Sequence, residues 1–196
     1  GSQCTISEIR VSAKGNQLLY NETGKAMIKK DLTLLAKEDV FHLIGKEWML
    51  ITSGTINRFN TMTASWGGIG WLWNKPVAYI FVRPERYTYE FIESGSRITL
   101  SFLGEQHRAI LNLCGSKSGR DIDKVKETGL IPHETERGAV AFEQSRITLD
   151  CRTLFRAPMQ ECHFLDKEIH KRWYNDKPGG SLHMMYVLEI EDVYGL

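Results

Sequence analysis

Ser145-Arg146-Ile147-Thr148-Leu149-Asp150-Cys151-Arg152-Thr153-Leu154-Phe155-Arg156 is the stretch from which the fold can be read. Ile147, Leu149, Cys151 and Phe155 fall on one face of an extended chain, and Arg146, Thr148, Asp150, Arg152 and Arg156 on the other. Side chains alternate across a strand, so this spacing predicts a half-buried antiparallel strand. A second such strand at residues 183–193 sets Met184, Tyr186, Leu188 and Ile190 against His183, Met185, Val187 and Glu189.

Upstream, residues 48–55 read as a strand, 57–60 as a turn and 61–66 as a further extended segment. Residues 67–76 hold three glycines and two tryptophans and end in Asn-Lys-Pro, which predicts a loop leading into a buried strand at 77–82. Another strand is expected at 97–102. The helices are short: one near 36–43, one capped by Thr88 and stopped by Gly95, one at 106–113, and one capped by Asp121 and ended by Gly129. Short strands with small intervening helices predict a mainly β, α+β barrel rather than a βαβ sheet. Residues 1–45, with turn signals at Gly15-Asn16 and 21–24, are expected to form an N-terminal extension or arm packed on that barrel, and 46–196 the barrel domain.

The 196 residues are 42% apolar, which suffices for one core without disulfides or a structural metal. Lys and Arg total 25 against 24 Asp and Glu, so the chain lacks the charge footprint of a nucleic-acid binder and its partners are expected to be small molecules. Its longest apolar runs, near 77–82 and 184–188, fall well short of the roughly 20 residues a membrane helix requires. Gly1-Ser2 reads as a remnant of expression, and no signal segment follows it. Cys4, Cys114, Cys151 and Cys162 show no paired spacing, which predicts reduced thiols, no zinc and a cytoplasmic protein.

Two segments carry chemistry. In Asn60-Thr61-Met62-Thr63-Ala64-Ser65-Trp66-Gly67-Gly68, small hydroxyl residues sit at a strand edge beside glycines, a surface suited to a phosphate or a flat polar ring, or else a strand rich in Thr for its propensity alone. In Val82-Arg83-Pro84-Glu85-Arg86-Tyr87-Thr88-Tyr89-Glu90, two guanidinium groups precede a helix start and suit a dianionic phosphate, unless they are solvated or paired with Glu85 and Glu90. His183 can face a ligand or be structural. Trp66, Trp71, Trp73 and Trp173 can stack on a ring or anchor a core or an interface.

Other motifs fail. Gly68-Ile-Gly70-Trp-Leu-Trp73 lacks the third glycine of a dinucleotide fingerprint, and Gly115-Ser-Lys-Ser-Gly119-Arg120 lacks P-loop spacing. Any redox chemistry must therefore reside in a bound cofactor.

Asn-Thr-Met-Thr-Ala-Ser-Trp, a buried strand and then Arg-Pro-Glu-Arg-Tyr-Thr-Tyr-Glu-Phe-Ile together resemble the flavin-reductase-like, FMN-binding split-barrel family, including flavoredoxin. The likeness extends through 98–103, through Ser118-Gly119-Arg120-Asp121 with Asp123-Lys124 after it, and through the last strand, covering roughly 45–193. It implies a split-barrel homodimer with FMN near the interface, reduced in many relatives by NADH or NADPH. By position, Asn60, Thr61, Met62, Thr63, Ala64, Ser65 and Trp66 would lie along the flavin ring and phosphate chain. Arg83, Arg86 and Thr88 would hold the phosphate, with Tyr87 close by, and Ser116, Lys117 and Arg120 would reach the cofactor or the partner subunit. Where relatives carry Pro-His or a His pair before the last strand, this chain reads Ser181-Leu182-His183, which leaves His183 and Trp173 as substrate-side candidates. No protein residue need be a catalytic acid or base. The function implied is an FMN oxidoreductase passing electrons from NAD(P)H or a protein donor to an acceptor. The alternatives are an electron carrier without nicotinamide activity and a non-catalytic FMN-binding or redox-sensing module.

Overall fold

The computed structural model describes residues 19–20, 26–175 and 180–195. In chain order its strands are β1 Leu19–Tyr20, β2 Ala26–Lys30, β3 Met49–Thr55, β4 Arg58–Ala64, β5 Gly67–Leu72, β6 Lys75–Val82, β7 Ile98–Phe102, β8 Pro132–Glu134, β9 Val140–Phe142, β10 Ile147–Pro158 and β11 Met184–Gly195. The α-helices are α1 Val40–His42, α2 Tyr87–Glu93, α3 Arg108–Ser116, α4 Lys124–Thr128 and α5 Lys167–His170. Most of the expected arm, with Cys4 and both of its turn signals, lies outside the described residues.

The main sheet runs β1-β2-β11-β10-β7-β3-β4, and β6 joins β11 and carries β5 as a hairpin. β11 is divided: Met184–Glu189 pairs with β6, while Val193–Gly195 pairs with β2. One apolar cluster takes alternate residues from six strands, among them Ile51, Met62, Ile80, Leu100, Leu149 and Tyr186, so the sheet wraps around it as a barrel. A second, smaller cluster, with Leu50, Leu103, Leu111 and Phe142, packs α3 and the β8–β9 hairpin against the outside.

That outer cover corrects the reading of β10. Thr148 and Asp150 are on the face opposite Leu149, as the alternation requires, yet both are fully buried. Asp150 accepts hydrogen bonds from Arg97 and from the Thr135 hydroxyl of the β8–β9 hairpin. The strand's first half is thus covered on both faces. A register shift between Thr153 and Phe155 then turns Phe155 outward, where it is 46% exposed. A compensating shift on β11 skips Glu191, and Val193 returns to the core.

Residues 67–72, expected as loop, form β5. The glycines mark close packing instead of a turn: a Cβ at Gly68 or at Gly70 would lie 3.3 Å from the Tyr79 ring. Trp73 and Asn74 join β5 to β6 with φ of 51° and 58°, the paired left-handed conformation of a type I′ turn. The helix expected at 36–43 is split, because the Asp39 carboxylate caps the N–H groups of Phe41 and His42 and starts a new turn. In α4 the capping carboxylate is that of Asp123 instead of Asp121, while Gly129 ends the helix in the left-handed conformation.

The segment before β3 is held by Arg108, which donates to the Lys46 carbonyl, and above all by Arg146. Arg146 makes two-pronged hydrogen bonds to both Glu38 and Glu47, at 2.6 to 3.0 Å. These bonds hold the Glu38 carboxyl below its ordinary range.

Candidate functional site

Among the described residues β4 is an edge strand bonded only to β3, so alternate backbone groups along Asn60–Ala64 face outward. Past this edge run two connected clefts. One, of about 210 Å³, is lined by Met62, Thr63, Ala64, Ser65 and Trp66 together with Arg83, Arg86 and His183. The other, of about 190 Å³, is lined by Asn60, Arg86, Tyr87, Ser116, Lys117 and neighbouring residues. Arg86 stands at their junction. A larger cleft of about 550 Å³, which Thr61 and Arg120 also line, opens beyond the second.

The hydroxyls of this strip are largely committed to the fold. Thr61 shares a hydrogen bond with Thr52 at 2.8 Å, and Thr63 donates to the Leu111 carbonyl. Met62 points into the barrel core. Thr88 does not cap α2: Arg86 is the first flanking residue, and Thr88 is buried inside the helix, where its hydroxyl accepts from Asn60 Nδ2 at 2.9 Å. What β4 presents outward is backbone, with Ser65 and Asn60 at either end of the strip.

The two arginines diverge, and neither pairs with Glu85 or Glu90. Arg83 donates to the carbonyls of Trp173 and Ser181 and lies over the Tyr174 ring, tying the 173–183 segment to the barrel. Arg86 donates to the carbonyls of Cys114 and Gly115 at the end of α3. It is Arg120 that pairs with Glu90, donates to the Glu85 carbonyl and stacks on Tyr87.

Lys124, quoted from the sequence without a role, proves central. It is 5% exposed and donates to the carbonyls of Thr61 at 2.7 Å and Cys114 at 3.0 Å. Burial brings its pKa down to about 8. Arg86 and Lys124 are thus two desolvated cations with no ion-paired carboxylate among the described residues, bordering one cleft with Glu85, Ser116, Lys117 and Gly119. Gly119 is required there, since a Cβ would lie 2.0 Å from Asn60 Oδ1. The legible signal for Lys124 was its place, with Asp123, shortly after the Ser118-Gly119-Arg120-Asp121 stretch.

At the other end, Trp66 meets Trp173 edge-on at 5.0 Å and His183 at 5.5 Å. His183 Nδ1 is 2.7 Å from the Tyr174 hydroxyl. Burial, with Arg83 nearby, lowers the His183 pKa to about 4, while burial raises that of Tyr174. The pair is therefore neutral. The Tyr174 hydroxyl also donates toward Met159 Sδ, a weak acceptor, at 3.6 Å. Nothing in the sequence indicated Tyr174. Among the described residues no group of three or more His, Cys, Asp or Glu side chains is placed to share a metal ion.

Residues 41–195 match the flavin reductase like domain family. No curated protein matches the sequence. Similar solved structures include an FMN-binding protein from Thermus thermophilus, at 17% identity and TM-score 0.59 over 79% of this chain and 73% of that one. A flavoredoxin from Methanosarcina acetivorans has 18% identity and TM-score 0.59 over 76% of this chain and 68% of its own. The flavoredoxin of Desulfovibrio vulgaris has 20% identity and TM-score 0.57 over 85% and 75%. The fold is that of FMN-binding split barrels, and since the family match spans most of the sequence, this chain belongs to the flavin reductase like domain family.

Proposed function

We propose that this chain is an FMN-binding oxidoreductase that takes electrons from NADH or NADPH and passes them to a further acceptor. The observation that carries the reading is the pair of desolvated cations, Arg86 and Lys124, at one end of a strip whose other end is flat and aromatic. A phosphate suits the first end: Ser116, Lys117 and the backbone about Gly119 add donors, and no acidic side chain opposes them in that cleft except Glu85, whose carboxylate is taken by the Ser181 N–H. A planar ring suits the second, between the β4 backbone and Trp66. The donor set fits FMN.

Bound there, FMN supplies the hydride and electron chemistry, and the protein orients it and controls access. In this reading Arg86 and Lys124 hold the phosphate, while outward backbone groups from Thr61 to Ser65 hold the ring edge. Trp66 and Trp173 exclude water. With the Tyr174 hydrogen directed to Nδ1, the better acceptor, neutral His183 carries its proton on Nε2 and offers it to whatever approaches the ring.

We also take the working form to be a homodimer in the cytoplasm. Trp71 and Trp73 on the β5–β6 hairpin are 65% and 55% exposed, and Trp73 meets Phe155 edge-on at 6.1 Å, an apolar patch of the kind that marks an interface. The thiols of Cys114, Cys151 and Cys162 are free, which suits a reducing compartment, and among the described residues no helix is long and apolar enough to cross a membrane.

The test is an absorbance spectrum of protein reconstituted with FMN and desalted, followed by anaerobic NADH and then NADPH. Retained flavin bands that bleach rapidly support the reductase. Retained bands that do not bleach favour an electron carrier or a binding module, and absence of flavin from protein and filtrate kinetics alike overturns the reading.

A further inference from the structure

We infer that a cleft on the outer face of the sheet, where β10 ends and β11 begins, is a binding site for a neutral aromatic molecule of one or two rings that carries an oxygen substituent. The inference goes beyond the flavin reading and does not depend on it. The cleft, about 320 Å³, lies apart from the strip along β4 and is walled by Ala157, Pro158, Met159, Phe164 and Met185. At that size it suits a small molecule rather than a helix, whose diameter with side chains is about 10 Å.

The lining sets the chemistry of the occupant. Among the described residues, none of the side chains around this cleft is Asp, Glu, Lys or Arg, whereas each cleft along β4 carries arginine or lysine. A charge would enter without a partner, so the occupant is neutral. Met159, Phe164 and Met185 are half-buried, which leaves apolar surface for a ligand to cover. Two thioethers and a phenyl ring in one small cleft favour an aromatic occupant over an alkyl one, because polarisable sulfur gains from contact with a ring. The polar lining residues, Gln160 and His163, are exposed. Gln160 Oε1 accepts from the Cys162 thiol at 3.7 Å, so its amide N–H groups remain as donors to an oxygen of the occupant.

The fold holds these walls in place. Ala157, Met185 and Phe81 are cross-strand neighbours on β10, β11 and β6, so their side chains share one face of the sheet. The Met159 N–H donates to the His183 carbonyl at 2.9 Å, and its sulfur lies 3.6 Å from the Tyr174 hydroxyl. Phe164 meets Tyr174 edge-on at 5.7 Å. Since Phe81 also lines the cleft beside Trp66, the row from Ala157 to Phe81 joins the two clefts across about 10 Å of sheet. A molecule in the outer cleft thus neighbours His183 through Met159 and Tyr174.

Calorimetric titration of 2-naphthol into the flavin-free protein, and again after incubation with FMN, tests this. One molecule should bind per chain in both. The saturated analogue decahydro-2-naphthol should bind about fivefold more weakly for lack of sulfur–ring contact. The anion 2-naphthoate should bind at least about tenfold more weakly, because its charge finds no partner. Ala157→Leu, which fills the cleft from a half-buried position away from the flavin strip, should weaken 2-naphthol by about tenfold while FMN affinity and melting temperature hold. Met185→Gln, of similar size, removes a sulfur without filling the cleft and should cost about threefold. Absence of saturable 2-naphthol binding, or binding that neither variant alters, overturns the inference. Equal binding of the saturated analogue also overturns it, by making the cleft an alkyl site. Binding that disappears as the chain dimerises in sedimentation overturns it as well, by giving the cleft to a second copy.

Discussion

Arg86 Nη2 and Lys124 Nζ converge on a single acceptor, the carbonyl oxygen of Cys114, at 3.3 and 3.0 Å. Helix α3 thus turns its negative end toward two cations that have no ion-paired carboxylate among the described residues, and in the proposed reading both serve the FMN phosphate. Removing Arg86 should cost FMN binding about 1.5 to 3 kcal/mol, the range for a hydrogen bond to a charged group. Equilibrium dialysis of Arg86→Ala checks this, and unchanged affinity would remove the phosphate from this cleft.

Lys124 gives a pH signature with a definite sign. Between its folded pKa of about 8 and its ordinary 10.5, the unfolded chain holds a proton that the folded chain has released. Stability of the flavin-free protein should therefore rise with pH across that window. FMN affinity should move the opposite way, falling as pH passes 8 and the ammonium is lost. Lys124→Met should flatten both profiles, measured by chemical denaturation and by dialysis at pH 7 and 9.

Gly119→Ala should destabilise the fold by about 1 to 3 kcal/mol through overpacking. The new methyl group would strike Asn60 Oδ1, whose amide is bonded on its other side to Thr88. Thermal unfolding should show the loss in flavin-free protein, and an unaltered melting temperature would mean that the 115–120 loop moves freely over β4.

Arg146→Ala should cost about 3 to 5 kcal/mol, because it strands the carboxylate of Glu47, only 4% exposed. The Glu38 part of this bond has its own acid limit. Its carboxyl is held below the usual range, so its contribution is complete above pH 4.5 and disappears as pH falls through the depressed value. Urea unfolding of Arg146→Ala and Glu38→Gln at pH 7 and at pH 4 separates the two carboxylates.

Trp73→Ser together with Trp71→Ser should yield a monomer at micromolar concentration where the parent sediments as a dimer. A parent that is monomeric with FMN bound would defeat the interface.

The apolar half of the fold was legible because the core obeys a period of two: Ile98, Leu100 and Phe102 on β7 and Ile147, Leu149 and Cys151 on β10 all point inward. The other face was misread because polar residues there are covered and mutually bonded, as Thr52 is with Thr61 and Thr99 with the Val140 carbonyl. Hairpin β5–β6 was hidden by glycines that look like a loop and by a turn of Trp and Asn, where Asn-Gly would have announced itself. At the site, Arg86, Ser116 and Lys117 were legible and gather in one cleft. Arg83 was legible as a cation, but its partners are backbone carbonyls some 90 and 98 residues away, which no local pattern encodes.

The division of β11 between two partners has a consequence for biosynthesis. Among the described residues, β6 is bound to the main sheet only through Met184–Glu189, so the tryptophan-bearing hairpin has nowhere to dock until that stretch is made. On the ribosome this is a wait of about a hundred residues, several seconds at roughly 5 to 20 residues per second. Through that interval Trp71 and Trp73 are carried on a nascent ribbon, a natural client for whatever shields apolar surface at the tunnel exit.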